Sequence, residues 1–213
     1  MKVVIFQFSL FGINTYLVYD PATLCCAVID PGMFNDAERE SIVNFITKNN
    51  LKLTHVINTH LHIDHAAGNA FLAKKYNVPV LGHKADKTLG ERINEQARMF
   101  GLSKEFTDTS IDRYLNAGDI IRVGDGELKV IHVPGHSKGS VALYDEKDGF
   151  VIVGDALFQG SIGRTDLPGG DYEELISSIK NNLLMLPDST IVYPGHGPST
   201  TIGQEKLTNP FLL

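Results

Sequence analysis

Short apolar runs broken by turn residues fill the first thirty positions. Val3–Phe8, Thr15–Tyr19 and Cys25–Ile29 are rich in β-branched and aromatic residues, and Gly12-Ile13-Asn14 and Asp20-Pro21-Ala22-Thr23 separate them. This spacing predicts a three-stranded meander, closed by Asp30-Pro31-Gly32. The period then changes. Asn35-Asp36 suits a helix cap, and Ile42, Val43, Phe45 and Ile46 lie on one side of a helix running to about Asn49. Thr54–Thr59 reads as a buried strand, Ala66–Tyr76 as a helix and Val78–Gly82 as a short strand.

Residues 84–116 break the pattern. They are charged and weakly periodic, and they predict one or two surface helices with a loop over the preceding segment, in the manner of a lid or of a plain surface excursion. Strand patterning resumes at Ile120–Val123, Leu128–His132, Val141–Tyr144 and Phe150–Val153, with Asp125-Gly126 as a hairpin turn. Asp171–Met185 predicts a capped helix with Leu175, Ile176, Ile179, Leu183 and Leu184 inward, followed by a strand at Thr190–Tyr193 and a short helix at Thr201–Leu207. Strands, helix, strand and helix thus occur twice. The expected fold is α+β of the α/β type: two sheets face to face with helices outside, a four-layer αββα sandwich formed by residues 1–213 as one domain.

Composition narrows the functional classes. A chain of 213 residues, 43% hydrophobic and 21% charged, can bury one substantial core. Its net charge of −6 argues against a nucleic-acid or anionic-membrane surface. Cys25 and Cys26 are adjacent on a strand and point to opposite faces, so they read as core and near-core thiols of a cytoplasmic protein rather than as a disulfide. No segment reaches the ~18 apolar residues of a membrane span. Gln7, Ser9, Asn14 and Thr15 interrupt the apolar N-terminus, which reads as strands rather than as a signal peptide.

The candidate chemistry is concentrated at His60-Leu61-His62-Ile63-Asp64-His65. His60 and His62 are two apart, so on extended backbone they point the same way. Imidazole and carboxylate are the donors that borderline divalent metals prefer, and gathering them without a cation costs desolvation and repulsion. The stretch is expected on a loop at the C-terminal end of a strand, where α/β sheets place ligands. Three further apolar runs end at a glycine followed by a polar residue: Gly135-His136, Gly154-Asp155 and Gly195-His196. Together these residues supply seven candidate ligands, His60, His62, Asp64, His65, His136, Asp155 and His196. Seven exceed one tetrahedral ion and suit two ions that share a carboxylate. His55, His83 and His132 lie within strands or in the charged excursion and read as structural or surface residues.

In this order the residues resemble the metallo-β-lactamase-fold hydrolases. The resemblance covers essentially the whole chain and implies a dinuclear site. His60, His62 and His136 would hold one ion and Asp64, His65 and His196 the other, with Asp155 bridging. The implied cofactors are two divalent metal ions, zinc foremost, with iron and manganese as alternatives. Gly154–Asp166 and Gly195–Gly203 resemble the small single-domain, glyoxalase II-like (hydroxyacylglutathione hydrolase-like) group. The implied activity is hydrolysis of a small-molecule thioester or ester by a metal-bridging hydroxide, with Asp64 and Asp155 as catalytic carboxylates, while Arg164 either binds a substrate carboxylate or forks onto Asp166 to tie down its loop.

The chain departs from glyoxalase II at known contact points. Arg164-Thr165-Asp166 stands where that family has Lys-Phe-Tyr, Pro198 replaces a glutathione-contacting Tyr, and no C-terminal helical domain is expected after Leu213. These departures favour related or smaller thioesters over glutathione-specific ones. Gly163-Arg164-Thr165-Asp166 is shared with persulfide dioxygenases, which use one iron; on this chain that ion would sit on His60, His136 and Asp155. A lactonase needs the same site.

Overall fold

The computed structural model describes residues 1–8 and 10–213; Ser9, one of the polar positions interrupting the N-terminus, lies outside the described residues. The first half runs β1 (Lys2–Phe8), β2 (Ile13–Tyr19), β3 (Cys25–Ile29), α1 (Asp36–Lys48), β4 (Lys52–Ile57), α2 (Ile63–Ala66), α3 (Asn69–Tyr76), β5 (Val80–His83), α4 (Lys87–Gly90), α5 (Ile93–Met99) and β6 (Arg113–Leu115). The second half runs β7 (Ile120–Val123), β8 (Gly126–His132), β9 (Val141–Asp145), β10 (Phe150–Gly154), β11 (Leu157–Phe158), β12 (Ser161–Ile162), α6 (Tyr172–Ser178), β13 (Ile191–Pro194), β14 (Thr200–Thr201) and α7 (Ile202–Thr208).

Two six-stranded sheets result, ordered β1-β2-β3-β4-β5-β6 and β14-β13-β10-β9-β8-β7. Their central strands are apolar on both faces, and strict alternation sends neighbouring residues to opposite sides. Tyr16, Val18, Ala27 and Ile29 therefore meet Leu128, Val130, Leu143 and Ile152 between the sheets. Leu17, Cys26 and Val28 face outward onto Ile42 and Ile46 of α1 and Leu72 of α3. Val151, Val153 and Val192 face outward onto Leu175 of α6, Ile179, Leu183 and Ile202 of α7. This is the expected αββα sandwich, an α+β arrangement of four layers. Cys26 is buried, Cys25 is half-buried, and both are free thiols. Among the described residues no helix is long and apolar enough to cross a membrane.

Helix starts follow the local sequence. Asn35 caps α1 in a full capping box with Glu38, and Asp171 accepts from the Glu174 amide at the start of α6. Two expected helices differ in detail. The run Ala66–Tyr76 is divided: α2 ends at Ala66 and α3 begins at Asn69. Gly68 lies between them, pressed so closely on Met33 and the Pro31 carbonyl that a Cβ there would collide. Beyond α6 the chain widens into a π-type turn at Ile179–Leu183, which keeps Ile179 and Leu183 on the buried side while Ile176 and Leu184 are only partly buried.

The largest correction concerns residues 84–116. They are not a plain surface excursion. β6 extends the first sheet, pairing parallel with β5, while Ile93 and Ala97 of α5 and Phe106 pack on Phe34, Ile63, Ala66 and Ala67.

The topology places several strand ends on one edge. β3 pairs parallel with β4, so Asp30 and Asn58 leave the first sheet side by side. β10 pairs parallel with β13, so Asp155 and Gly195 leave the second sheet together. Asn14 stitches the two edges: its amide N–H donates to the Gly195 carbonyl at 2.7 Å and its side chain donates to Pro194 O at 3.1 Å and Gly197 O at 2.8 Å.

Candidate metal centre

All seven candidate ligands meet at this edge. His60 and His62 follow β4, His62 on extended backbone, and both turn a ring nitrogen toward His136. Asp64 and His65 do not sit on a loop: they occupy the helical turn α2, which carries them around to a second side of the cluster. His136 follows β8, Asp155 follows β10 and His196 follows β13.

The donor atoms form two sets. His136 Nε2 lies 3.0 Å from His62 Nδ1 and 3.2 Å from His60 Nε2. His196 Nε2 and His65 Nε2 lie 3.3 Å and 3.8 Å from Asp64 Oδ2. Asp155 faces both sets, with Oδ1 3.3 Å from His65 Nε2 and Oδ2 3.5 Å from His196 Nε2 and 3.8 Å from His136 Nε2. Nitrogens at 2.0–2.1 Å around one tetrahedral cation stand about 3.3 Å apart, which is close to these spacings. His65 Nε2 and Asp155 Oδ1 are buried with no hydrogen-bond partner, an expensive condition that a cation between them relieves.

Four of the five histidines have their outward nitrogen held. His60 Nδ1 meets Thr59 Oγ1 at 3.2 Å, His65 Nδ1 meets Asp30 Oδ2 at 3.0 Å, His136 Nδ1 meets the Arg164 carbonyl at 2.7 Å and His196 Nδ1 meets the Phe11 carbonyl at 3.1 Å. An acceptor on the outer nitrogen points the lone pair of the other inward, the usual arrangement behind metal-binding imidazoles.

Electrostatics divides the sets. Burial, reinforced by neighbouring histidines, holds the pKa of His60 well below its ordinary value and pushes that of His62 down to about 4. Both are thus neutral at pH 7, the form that binds metal. Burial opposes charge on His65 and His196 too, but Asp155, Asp64 and Asp30 override it at His65, and Asp64 and Asp155 do so at His196, so both pKa values rise. Asp64 and Asp155 stay ionised despite burial, chiefly because of His65. In the second set the carboxylates therefore stabilise positive charge, a place that a cation can take over from the imidazole protons.

Glycines permit the convergence. Gly154 turns the chain at φ +53°, and a side chain at Gly195 would strike Asp155 Oδ1 and His65 Cε1.

Several supporting residues were not among the sequence candidates. Asp30, fully buried at φ +50°, accepts from Thr59 N–H at 2.8 Å and Thr59 Oγ1 at 2.6 Å besides meeting His65. Asn58 donates to the His65 carbonyl at 2.9 Å. Buried Asp86 ties two ligand loops together, accepting from Gly139 N–H and Ser137 Oγ at 2.7 Å each and from Leu61 N–H at 3.2 Å. Gln96 clamps the same stretch through Leu61 O and Ile63 N–H. Asp30 had a signal, an Asp directly after an apolar strand, but it looks the same as the start of a turn.

Arg164 borders the site cavity, and its guanidinium forks onto Asp166 with two 2.7 Å bonds. His55 contacts Thr54, and His83 and His132 stack on each other at 4.4 Å outside the cluster. A larger cavity, about 670 Å³, lies elsewhere, on the second sheet beside Asn181 and Met185, and none of the seven residues lines it. A smaller one of about 130 Å³ opens onto His62, Asp64, His136 and Asp155. The chemistry assigns the smaller cavity to the site.

Comparison with known proteins agrees with this geometry. The family model described as "Metallo-beta-lactamase superfamily" matches residues 9–196. Hydroxyacylglutathione hydrolase GloC of Haemophilus influenzae is 40% identical over 215 residues, covering 100% of this chain and 98% of that protein. The crystal structure of BLEG-1 B3 metallo-beta-lactamase is similar with a TM-score of 0.90 at 36% identity, covering 99% of both chains. That of TTHA1623 in a di-iron-bound form gives a TM-score of 0.87 at 38% identity, covering 99% of this chain and 100% of that one.

Proposed function

This chain belongs to the metallo-beta-lactamase superfamily, and from that premise we propose that it is a metal-dependent hydrolase of small-molecule thioesters, with related esters as the nearest alternative. His60, His62 and His136 would hold one divalent cation and Asp64, His65 and His196 a second, with Asp155 placed to serve both. The observation that carries this reading is the pair of buried atoms without partners, His65 Nε2 and Asp155 Oδ1, at the junction of the two donor sets. Zinc suits the donors; iron and manganese accept them too, and a relative with two irons is similar in fold.

When bound, the ions supply positive charge that acidifies water toward neutrality and polarises a carbonyl oxygen. The chain's own groups do the rest. Asp64 and Asp155, ionised in spite of burial, retain the cations. His60 and His62 remain neutral donors at working pH. Phe11, Ile63, Phe100 and Leu167 line the cavity and limit water around the reacting bond. The residues lining this cavity include no serine or cysteine, so no covalent nucleophile is assigned. Arg164 at the cavity edge binds a substrate carboxylate by exchanging its fork from Asp166.

The purified, zinc-loaded protein is expected to release free thiol from S-lactoylglutathione and from simpler acyl thioesters. Oxygen uptake on glutathione persulfide, or turnover of a β-lactam with no thioester cleavage, would overturn the reading.

Asp30 tests the support of the second ion set. Asp30→Asn keeps a residue that tolerates positive φ and keeps the shape, but it loses the charge that orients His65. Affinity for one of the two ions is expected to fall about 10- to 100-fold, measured by metal titration against a competing chelator. An unchanged titration would show that Asp30 is structural only.

A further inference from the structure

We propose that the substrate's acyl group is a short aliphatic chain without polar substituents, seated in an apolar recess beside His62. The inference rests on the thioester reading above. The cavity over the metal centre shares His62, Phe100 and Leu167 with a second recess of about 70 Å³, whose remaining walls are Leu89, Gln96, Met99 and Pro168.

Gln96 is the one amide in that wall, and its hydrogen bonds are already used. Its Nε2 donates to Leu61 O at 3.2 Å and Leu89 O at 2.8 Å, and its Oε1 accepts from Ile63 N–H at 3.0 Å. The recess therefore offers a substituent almost nothing polar. Met99 and Phe100 are 68% and 43% exposed, two consecutive large apolar residues at the rim, with Phe11 packed edge-on against Phe100 at 5.8 Å. Such exposed apolar surface commonly marks a binding site.

A carbonyl carbon held beside His60, His62 and His136 carries two substituents, the acyl chain and the sulfur with its carrier. The recess at His62 accepts the apolar one. Arg164 lines the metal-centre cavity but not the recess, and suits a polar carrier. Size sets the length: a dry cavity of ~150 Å³ admits benzene, so about half that volume admits roughly three or four carbons. A 2-hydroxyl placed there would be buried with no partner, which costs on the order of 10-fold or more in specificity.

The experiment compares kcat/KM for acetyl, butyryl and 2-hydroxybutyryl thioesters of glutathione on the zinc-loaded protein. It also measures, by calorimetry, binding of the two C4 ketone analogues in which CH₂ replaces the sulfur. The butyryl substrate and its analogue are each expected to be favoured over the hydroxy forms by about 10-fold or more. Leu89→Phe and Leu167→Phe fill the recess, and each should lower the butyryl-to-acetyl ratio within the same folded protein about tenfold. Equal or reversed preferences, in turnover and in binding, overturn the proposal. If no thioester is cleaved but the butyl ketone still binds more tightly and Leu89→Phe removes that difference, the assignment of the recess stands and the thioester reading fails.

Discussion

Replacing Asp155 by alanine is expected to abolish thioester turnover, by more than ~100-fold, and to leave the protein with at most one ion. The magnitude follows from position. Lost support behind a metal-binding imidazole already costs about 10- to 100-fold, and Asp155 faces both donor sets directly. Removing it also leaves His65, whose pKa Asp155 helps to hold up, with less compensation in a fully buried site. Metal analysis alongside circular dichroism checks this. A variant that folds, keeps two ions and retains activity would place the bridging role elsewhere.

Stripping the metal is expected to lower the melting temperature steeply. A ligand present at ~1,000 times its Kd stabilises by about 4 kcal/mol, which for a chain of this size is roughly 8–16 °C per ion. Reloading should release protons, and the direction can be worked out residue by residue. The facing carboxylates raise the pKa of His65 well above its ordinary value and that of His196 above its own, which favours the protonated form of each, and a bound proton must leave before the nitrogen donates a lone pair. His60 and His62 are already neutral and release none. Net proton release is therefore expected at pH 7, read from calorimetry in buffers of different ionisation enthalpy. His62 also fixes a trend with acid. Its folded pKa of about 4 lies below the ordinary value of 6.5, so its contribution to stability is complete above 6.5 and is lost as pH falls toward 4. Proton uptake on metal binding would contradict this assignment of charges.

What the sequence disclosed, it disclosed through period and clustering. Central strands such as Cys25–Ile29 and Phe150–Gly154 are apolar at every position or nearly so, and the αββα layering followed from counting them. His60 to His65 stood out because so many imidazoles are improbable by chance, and the glycine-ended strands supplied the remaining candidates. Hidden from the sequence was everything whose role depends on tertiary contact. Asp30 begins a Pro-Gly turn and looked like punctuation, yet it is buried against His65. Residues 84–116 looked like surface because their charges face solvent and mask the spacing of Ile93, Ala97 and Phe106, which pack beneath the ligand loop. β6 has only three residues, two of them exposed, too few for any alternation to register. Asp64 and His65 were expected on a loop because a four-residue helix has no periodic signature.

The most direct test of the central claim is the metal stoichiometry of the purified, active protein by elemental analysis, followed through thioester hydrolysis. The account predicts about two divalent ions per chain and activity that disappears with chelation and returns as the second ion is restored. One ion per chain at full activity, unaffected by Asp64→Ala, would contradict it.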